Sequence, residues 1–296
     1  MKTAAPQAEQ VRRLLNAHAR TFALTLRILP ISLREPLGLT YLLARASDTV
    51  ADAPEVGCEK RLSLLEELQD ALNSESFHWE THSIQEKLSA SEVELLAAVP
   101  MLMNALTVHP DRGELLRLWR TILTGQIMDL RRFAPEAEPL SSGELEQYCH
   151  LVAGSVGETW THLIALHAPG VLLGSQEELV KFGISYGKGL QLLNIVRDRA
   201  EDRRLGRFYI REKEVPQMLE QISNWLQHGK KYCSHLRPGR IRYASELPLR
   251  LALKTLERLG RSPESHRVKL PRWEVYTLLI KSLPSLGLPS WHNPAS

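Results

Sequence analysis

The chain has 296 residues, of which 43% are hydrophobic and 24% charged. These are globular proportions and exclude a disordered chain. The 37 Lys+Arg against 34 Asp+Glu leave a net charge of +3, too small to predict nucleic-acid binding without a localised basic stripe, though it suits an anionic substrate or an anionic membrane surface.

The periodicity is helical almost throughout. Residues 7–28 read as a helix that stops near Pro30. Residues 32–52 read as a second, with Ser32 as N-cap and Pro36 in the first turn, where its missing N–H costs least. Residues 58–73 form a third, carrying Leu62, Leu65, Leu68 and Leu72 at helical spacing. The polar stretch 74–89 reads as a loop with at most a short helix. Further helices are expected over 90–107, 113–132, 142–167, 175–203, 213–228, 245–260 and 271–282. Pro135, Pro139, Pro169 and the basic stretch 229–242 mark connections. No Pro/Gly/Ser-rich linker divides the chain, so residues 1–296 are expected to form one all-α domain, a large bundle around a central cavity. Gly125, Gly154, Gly157, Gly183, Gly187 and Gly189 fall inside helical stretches. They predict either close helix packing or a wall that leaves room for a ligand.

The longest apolar run, Leu95–Met103, is interrupted by Pro100. A membrane-spanning helix needs about 20 apolar residues, so none is expected. The N-terminus MKTAAPQAEQVRR has no apolar core and does not read as a signal peptide. Cys58, Cys149 and Cys233 are odd in number and lack CxxC spacing, which argues against a disulfide scaffold or a cysteine-type zinc site. The cytoplasm is the expected location.

Two helices carry acidic stripes. In YLLARASDTVAD, Tyr41, Arg45, Asp48 and Asp52 stand at i, i+4, i+7 and i+11, within an arc of about 60°. In GLQLLNIVRDRAEDRRLGRFY, Gln191, Asn194, Asp198 and Asp202 share an arc of about 80°. Each stripe alone also reads as a solvated face with local ion pairs. Together they supply four carboxylates able to meet across a cavity. Such a set repels itself unless cations neutralise it, and hard oxygen ligands suit Mg²⁺ shared with phosphates. Arg45, Arg197 and Arg207 flank the set and suit phosphate oxygens. The implied substrate has a diphosphate head and, given the apolar interior, a hydrocarbon tail. Departure of diphosphate from an allylic carbon leaves a carbocation from which the cavity must exclude water. In YCHLVAGSVGE, Tyr148 and Val152 share a face. A cavity-facing phenol would shuttle a proton or stabilise a cation with its ring, while the same Tyr also reads as a core residue with a satisfied hydroxyl. His18 precedes ARTFALTLRILP and lies within reach of a diphosphate bound there.

These segments resemble the squalene/phytoene synthase family, the head-to-head prenyl transferases, from about residue 12 to 282. ARTFALTLRILP resembles the entry motif, YLLARASDTVAD and LQLLNIVRDRAEDRRLGRFY the two aspartate-rich motifs, and GQIMDLRRF the Gly-Met-x-x-Asp-Leu stretch. YCHLVAGSVGE resembles the Tyr-x-x-x-Val-Ala-Gly-x-Val-Gly-Glu motif, and VKLPRWEVY a C-terminal basic stretch. The resemblance implies the isoprenoid synthase fold and condensation of two farnesyl diphosphates, or longer analogues, through presqualene diphosphate. It implies Mg²⁺ held by Asp48, Asp52, Asn194, Asp198 and Asp202. Arg20, Thr21, Tyr41, Arg45, Gln191, Arg197, Tyr209 and Tyr276 would line the diphosphate region, Tyr148 would move a proton, and Phe22 and Val152 would belong to the cavity wall.

Thr21 replaces the usual Ser, Arg199 an apolar or aromatic residue, and Ile210-Arg211 the usual Leu-Pro. No departure removes an expected ligand. Reduction by NADPH would give squalene. Proton loss would give phytoene or dehydrosqualene, water capture hydroxysqualene, and arrest presqualene diphosphate itself. A non-catalytic member would have lost aspartates retained here. DTVAD is closer to the DTVED of squalene synthases than to DDIAD, which favours squalene and therefore NADPH. The membrane anchor of eukaryotic squalene synthases has no counterpart here, so a bacterial, soluble or peripheral enzyme is expected, in the cytoplasm or at the inner face of the membrane. A monomer or weak dimer is expected.

Overall fold

The computed structural model describes residues 4–18, 25–53, 55–72, 79, 81–132 and 138–261. The part of the entry motif from Ala19 to Leu24, the C-terminal stretch containing Tyr276 and the helix expected over 271–282 lie outside them. The helices are α1 (Ala4–His18), α2 (Ile31–Ala51), α3 (Cys58–Ala71), α4 (Ala90–Ala97), α5 (Val99–Thr107), α6 (Arg112–Arg132), α7 (Ser142–Cys149), α8 (Ser155–His167), α9 (Gln176–Arg204), α10 (Val215–Ser234) and α11 (Arg240–Arg261). A single turn, His82–Gln85, lies between α3 and α4. Pairing between extended segments among the described residues amounts to one isolated bridge, Leu172 with Leu236.

Helix α9 packs against α8 on one side and α10 on the other, while α2 packs against α6. The spacing of buried residues explains the pairing. On α6, Leu115, Leu118, Trp119, Ile122, Leu123, Gln126, Ile127 and Leu130 recur at three- and four-residue intervals and are buried. On α2, Leu39, Leu42, Leu43, Ala46 and Val50 do the same. Ser89 with Glu92 and Ser141 with Glu144 form reciprocal capping boxes that start α4 and α7.

Several expected boundaries move. Pro30, not Ser32, is the N-cap of α2, so Pro36 falls in the second turn. The expected helix 90–107 divides at Ala98, because Pro100 opens a new helix more easily than it continues one. The stretch 229–242, expected as a connection, is mostly helical: α10 runs to Ser234 and α11 starts at Arg240. Lys230, Lys231, Arg237 and Arg240 are exposed, while Tyr232 and Cys233 are buried.

The expected helix 142–167 contains a π-helical turn, His150–Gly154. In an unbroken α-helix Tyr148 and Val156 would point about 80° apart. The wider turn takes back most of that offset, and Tyr148, Val152 and Val156 all line one cavity.

Close packing explains most of the helical glycines. A Cβ on Gly157 would lie 2.0 Å from the Gly183 carbonyl oxygen, and one on Gly187 would lie 2.2 Å from that of Ala153. Helices α8 and α9 therefore touch backbone to backbone. The same bare backbone at Gly157, Gly183 and Gly187 also forms part of a small apolar cavity of about 180 Å³. Gly187→Ala is expected to cost at least about 2 kcal/mol, because the opposing atom is a backbone carbonyl that cannot rotate away. Urea unfolding checks this, and a variant as stable as the parent would mean that α9 and the π turn are not in contact there.

Candidate active site at the junction of two cavities

Two cavities meet between α2, α6, the α7–α8 segment and α9. One, of about 410 Å³, has mixed walls, with Leu37, Leu118, Ile122, Val152 and Val156 supplying the apolar part. The other, of about 440 Å³, is strongly polar and holds Asp48, Asp52, Asn194, Asp198 and Asp202 together. Arg45, Asp48, Gln126, Tyr148 and Gln191 belong to both. Thus the two acidic stripes face each other across one space.

Each carboxylate has an arginine nearby. Arg45 Nη1 donates to Asp48 Oδ2 at 2.7 Å. Arg197 Nε donates to Asp198 Oδ1 at 3.0 Å. Arg207 Nη2 donates to Asp52 Oδ1 at 2.5 Å, and its Nε lies 3.4 Å from Asp129 Oδ2. Asp48 lies in the wall shared by the two cavities, where it is partly enclosed. That burial, with Asp52 beside it, pushes its carboxyl up to about 6 against the pull of Arg45. Burial likewise raises Asp202 to about 7, with Arg207 opposing and Asp198 adding repulsion. Burial tends to lower Arg207, but Asp52 and Asp129 outweigh it and hold the guanidinium charged.

These are clustered anions short of positive charge. A hard divalent cation fits that donor set. Among the described residues no three His, Cys, Asp or Glu side chains converge on one point. A cation held here would take its remaining ligands from outside the protein.

Tyr148 and Tyr209 stack with ring centroids 5.4 Å apart and hydroxyls 3.5 Å apart. The Tyr209 hydroxyl donates to Asp129 Oδ1 at 2.6 Å. Burial, then the charge of Asp129, hold the Tyr148 phenol well above its ordinary pKa. It is therefore neutral at pH 7. Tyr41 lines the mixed cavity and donates to the His18 carbonyl at 3.1 Å. Of the expected residues, Tyr41, Arg45, Asp48, Asp52, Tyr148, Val152, Gln191, Asn194, Arg197, Asp198, Asp202 and Tyr209 all line one or both cavities. Arg20, Thr21, Phe22 and Tyr276 lie outside the described residues.

Two α6 residues were not singled out from the sequence. Asp129 is 7% exposed, and Gln126 is 9% exposed with its Oε1 buried and unpartnered at the wall shared by both cavities. The signal was present: GQIMDLRRF places both on one helix face, yet only the neighbouring helices show why that face is inward. Arg199, where the family commonly has an apolar or aromatic residue, bonds Glu212 at 3.1 Å and the Val196 carbonyl at 2.8 Å.

The squalene/phytoene synthase family model matches residues 15–215. The chain belongs to the squalene/phytoene synthase family. A squalene synthase of Gibberella zeae is 28% identical over 262 residues, covering 86% of this chain and 52% of the relative. A phytoene synthase of Arthrospira platensis is 28% identical over 211 residues, covering 68% of this chain and 60% of the relative. The chain thus spans little more than half the length of these curated relatives. The complex of TcSQS with the ligand BPH1237 superposes with a TM-score of 0.76 at 20% identity, over 94% of this chain and 86% of that one. The fold is the all-α isoprenoid synthase fold of that group. Among the described residues no helix is long and apolar enough to cross a membrane.

Proposed function

We propose that this family member condenses two farnesyl diphosphates head to head through presqualene diphosphate and reduces the product to squalene with NADPH. The observation that carries the reading is the shared wall. A carboxylate- and arginine-rich space suited to diphosphate opens directly onto a space with apolar walls, and Tyr148 stands at the junction. The resemblance of DTVAD to the squalene synthase motif favours the reductive outcome. One domain, built on the same bundle, suffices for both steps.

Asp48, Asp52, Asn194, Asp198 and Asp202 would hold Mg²⁺, which supplies neutralisation of the leaving diphosphate. Arg45, Arg197 and Gln191 bind and orient phosphate oxygens by charge-assisted and neutral hydrogen bonds. Leu118, Ile122, Val152 and Val156 surround the tails and keep water from the carbocation. The Tyr148 oxygen, neutral and close to that cation, accepts the proton lost when the cyclopropane ring closes. The deciding experiment is a product assay with farnesyl diphosphate and Mg²⁺, with and without NADPH. Squalene formed only with NADPH supports the reading. Dehydrosqualene irrespective of NADPH, or hydroxysqualene, replaces the reductive step, and no hydrocarbon from any prenyl diphosphate overturns the reading entirely.

Cation binding should also depend on pH. Asp48 and Asp202 sit above their ordinary carboxylate range. Without a cation the folded state therefore holds extra protons between about pH 4 and 7, and loses their stabilisation as pH rises through that window. Cation binding needs the deprotonated set. Mg²⁺ with inorganic pyrophosphate should raise Tm more at pH 8 than at pH 5.5 in scanning fluorimetry. An equal rise at both would remove these carboxylates from the cation site.

A further inference from the structure

Ring closure as proposed above leaves the proton on Tyr148, which cannot keep it. A neutral phenol that accepts a proton must pass one on in the same step or become a strongly acidic oxonium. The structure provides the next acceptor. The Tyr209 hydroxyl has one proton, and it points to Asp129 Oδ1 at 2.6 Å. In the 3.5 Å contact between the two hydroxyls, Tyr209 must then accept and Tyr148 donate. This leaves the lone pairs of the Tyr148 oxygen for the cavity it lines.

The chain of donors is therefore directed. It starts at the junction of the two cavities and ends on a carboxylate that is 7% exposed. Burial raises that carboxyl to about 6, opposed by Arg207 at 3.4 Å from its other oxygen, so it is ionised at pH 7 yet readily takes a proton. Asp129 also lines the polar cavity, so a proton delivered there has a route to water.

We propose that Asp129 is the terminal proton acceptor of a relay running from Tyr148 through Tyr209. The inference rests on the condensation proposed above and concerns its ring-closing step. The C–H bond at C1 of the donor farnesyl unit breaks, and its electron pair forms the third cyclopropane bond to the cationic carbon. That proton goes to the Tyr148 oxygen, the Tyr148 proton to Tyr209, and the Tyr209 proton to Asp129. The cation and the carboxylate are both neutralised, and no oxidant or reductant is needed. Asp129 touches no reacting atom. It is a positioning residue that fixes the direction of both hydroxyls and takes the proton through them.

The relay makes Asp129 and Tyr209 act as one unit, which a structural role does not. In the whole protein, Asp129→Asn should lower kcat for presqualene diphosphate formation about 100-fold or more, with KM for farnesyl diphosphate within about threefold. Asp129→Glu should recover at least about tenfold of that loss. With farnesyl diphosphate deuterated at C1, the primary isotope effect on kcat should rise in Asp129→Asn, because proton loss has become limiting. Tyr209→Phe keeps the ring stack and should reproduce both effects, and the double variant should be no worse than either single one. If Asp129→Asn does not fold, Tyr209→Phe carries the test by itself. A kcat within threefold of the parent, an unchanged isotope effect, or additive losses in the double variant would overturn the relay. A parent protein that makes no presqualene diphosphate would overturn the condensation itself, which separates the two failures.

Discussion

Asp48→Asn should lower turnover of farnesyl diphosphate about 1,000-fold, and Asp48→Asn combined with Asp198→Asn should leave none measurable. The two carboxylates stand on α2 and α9 and face each other across the polar cavity. Neutralising the departing diphosphate contributes several kcal/mol to such a reaction, and each 1.36 kcal/mol is tenfold in rate. Asn keeps the shape and removes the charge. The stability effect should have the opposite sign. Burial and Asp52 push the Asp48 carboxyl up to about 6, so its ionised form costs the folded state stability at pH 7. The variant should therefore be as stable as the parent or more so when no cation is present. Steady-state turnover and thermal unfolding in chelator check the pair of outcomes. An inactive variant that is also less stable would make Asp48 a structural residue, and one active within tenfold would remove it from the site.

Tyr148→Phe should lower kcat between 100- and 10,000-fold, the span that general acid–base groups contribute. The substitution deletes one oxygen and keeps the aromatic stack on Tyr209, so the fold should survive. KM should change little, because in the proposed mechanism the phenol acts on the carbocation rather than on the ground-state diphosphate. The raised phenol pKa excludes a phenolate at neutral pH. Activity should not climb steeply between pH 8 and 10, as it would if a phenolate were the base. A Phe variant with unchanged kcat would mean that the proton leaves by another route, with released diphosphate the first alternative acceptor.

Much of the site was legible in the sequence because its residues recur at helical spacing. Tyr41, Arg45, Asp48 and Asp52 on one helix, and Gln191, Asn194, Asp198 and Asp202 on another, share a face by arithmetic alone. That the two faces meet is a tertiary fact, and it required α6 and the α7–α8 segment between them. Asp129 shows the difference well. Its motif was visible, but its value comes from Arg207 and Tyr209, about eighty residues away in the chain.

Local composition determined the all-α class, the positions of α3, α6 and α9 to within two residues, and the four aspartates with their arginines. Each depends on interactions between residues a few positions apart, which spacing reports directly. The tertiary structure decided the long run of α10, the π turn that aligns Tyr148 with Val156, and the direction of the Tyr148–Tyr209–Asp129 chain. It also decided that Gly157, Gly183 and Gly187 serve backbone contact between α9 and the π turn and α8. These depend on what lies across a gap of a few ångströms from a distant segment, and no local pattern in the chain carries that distance.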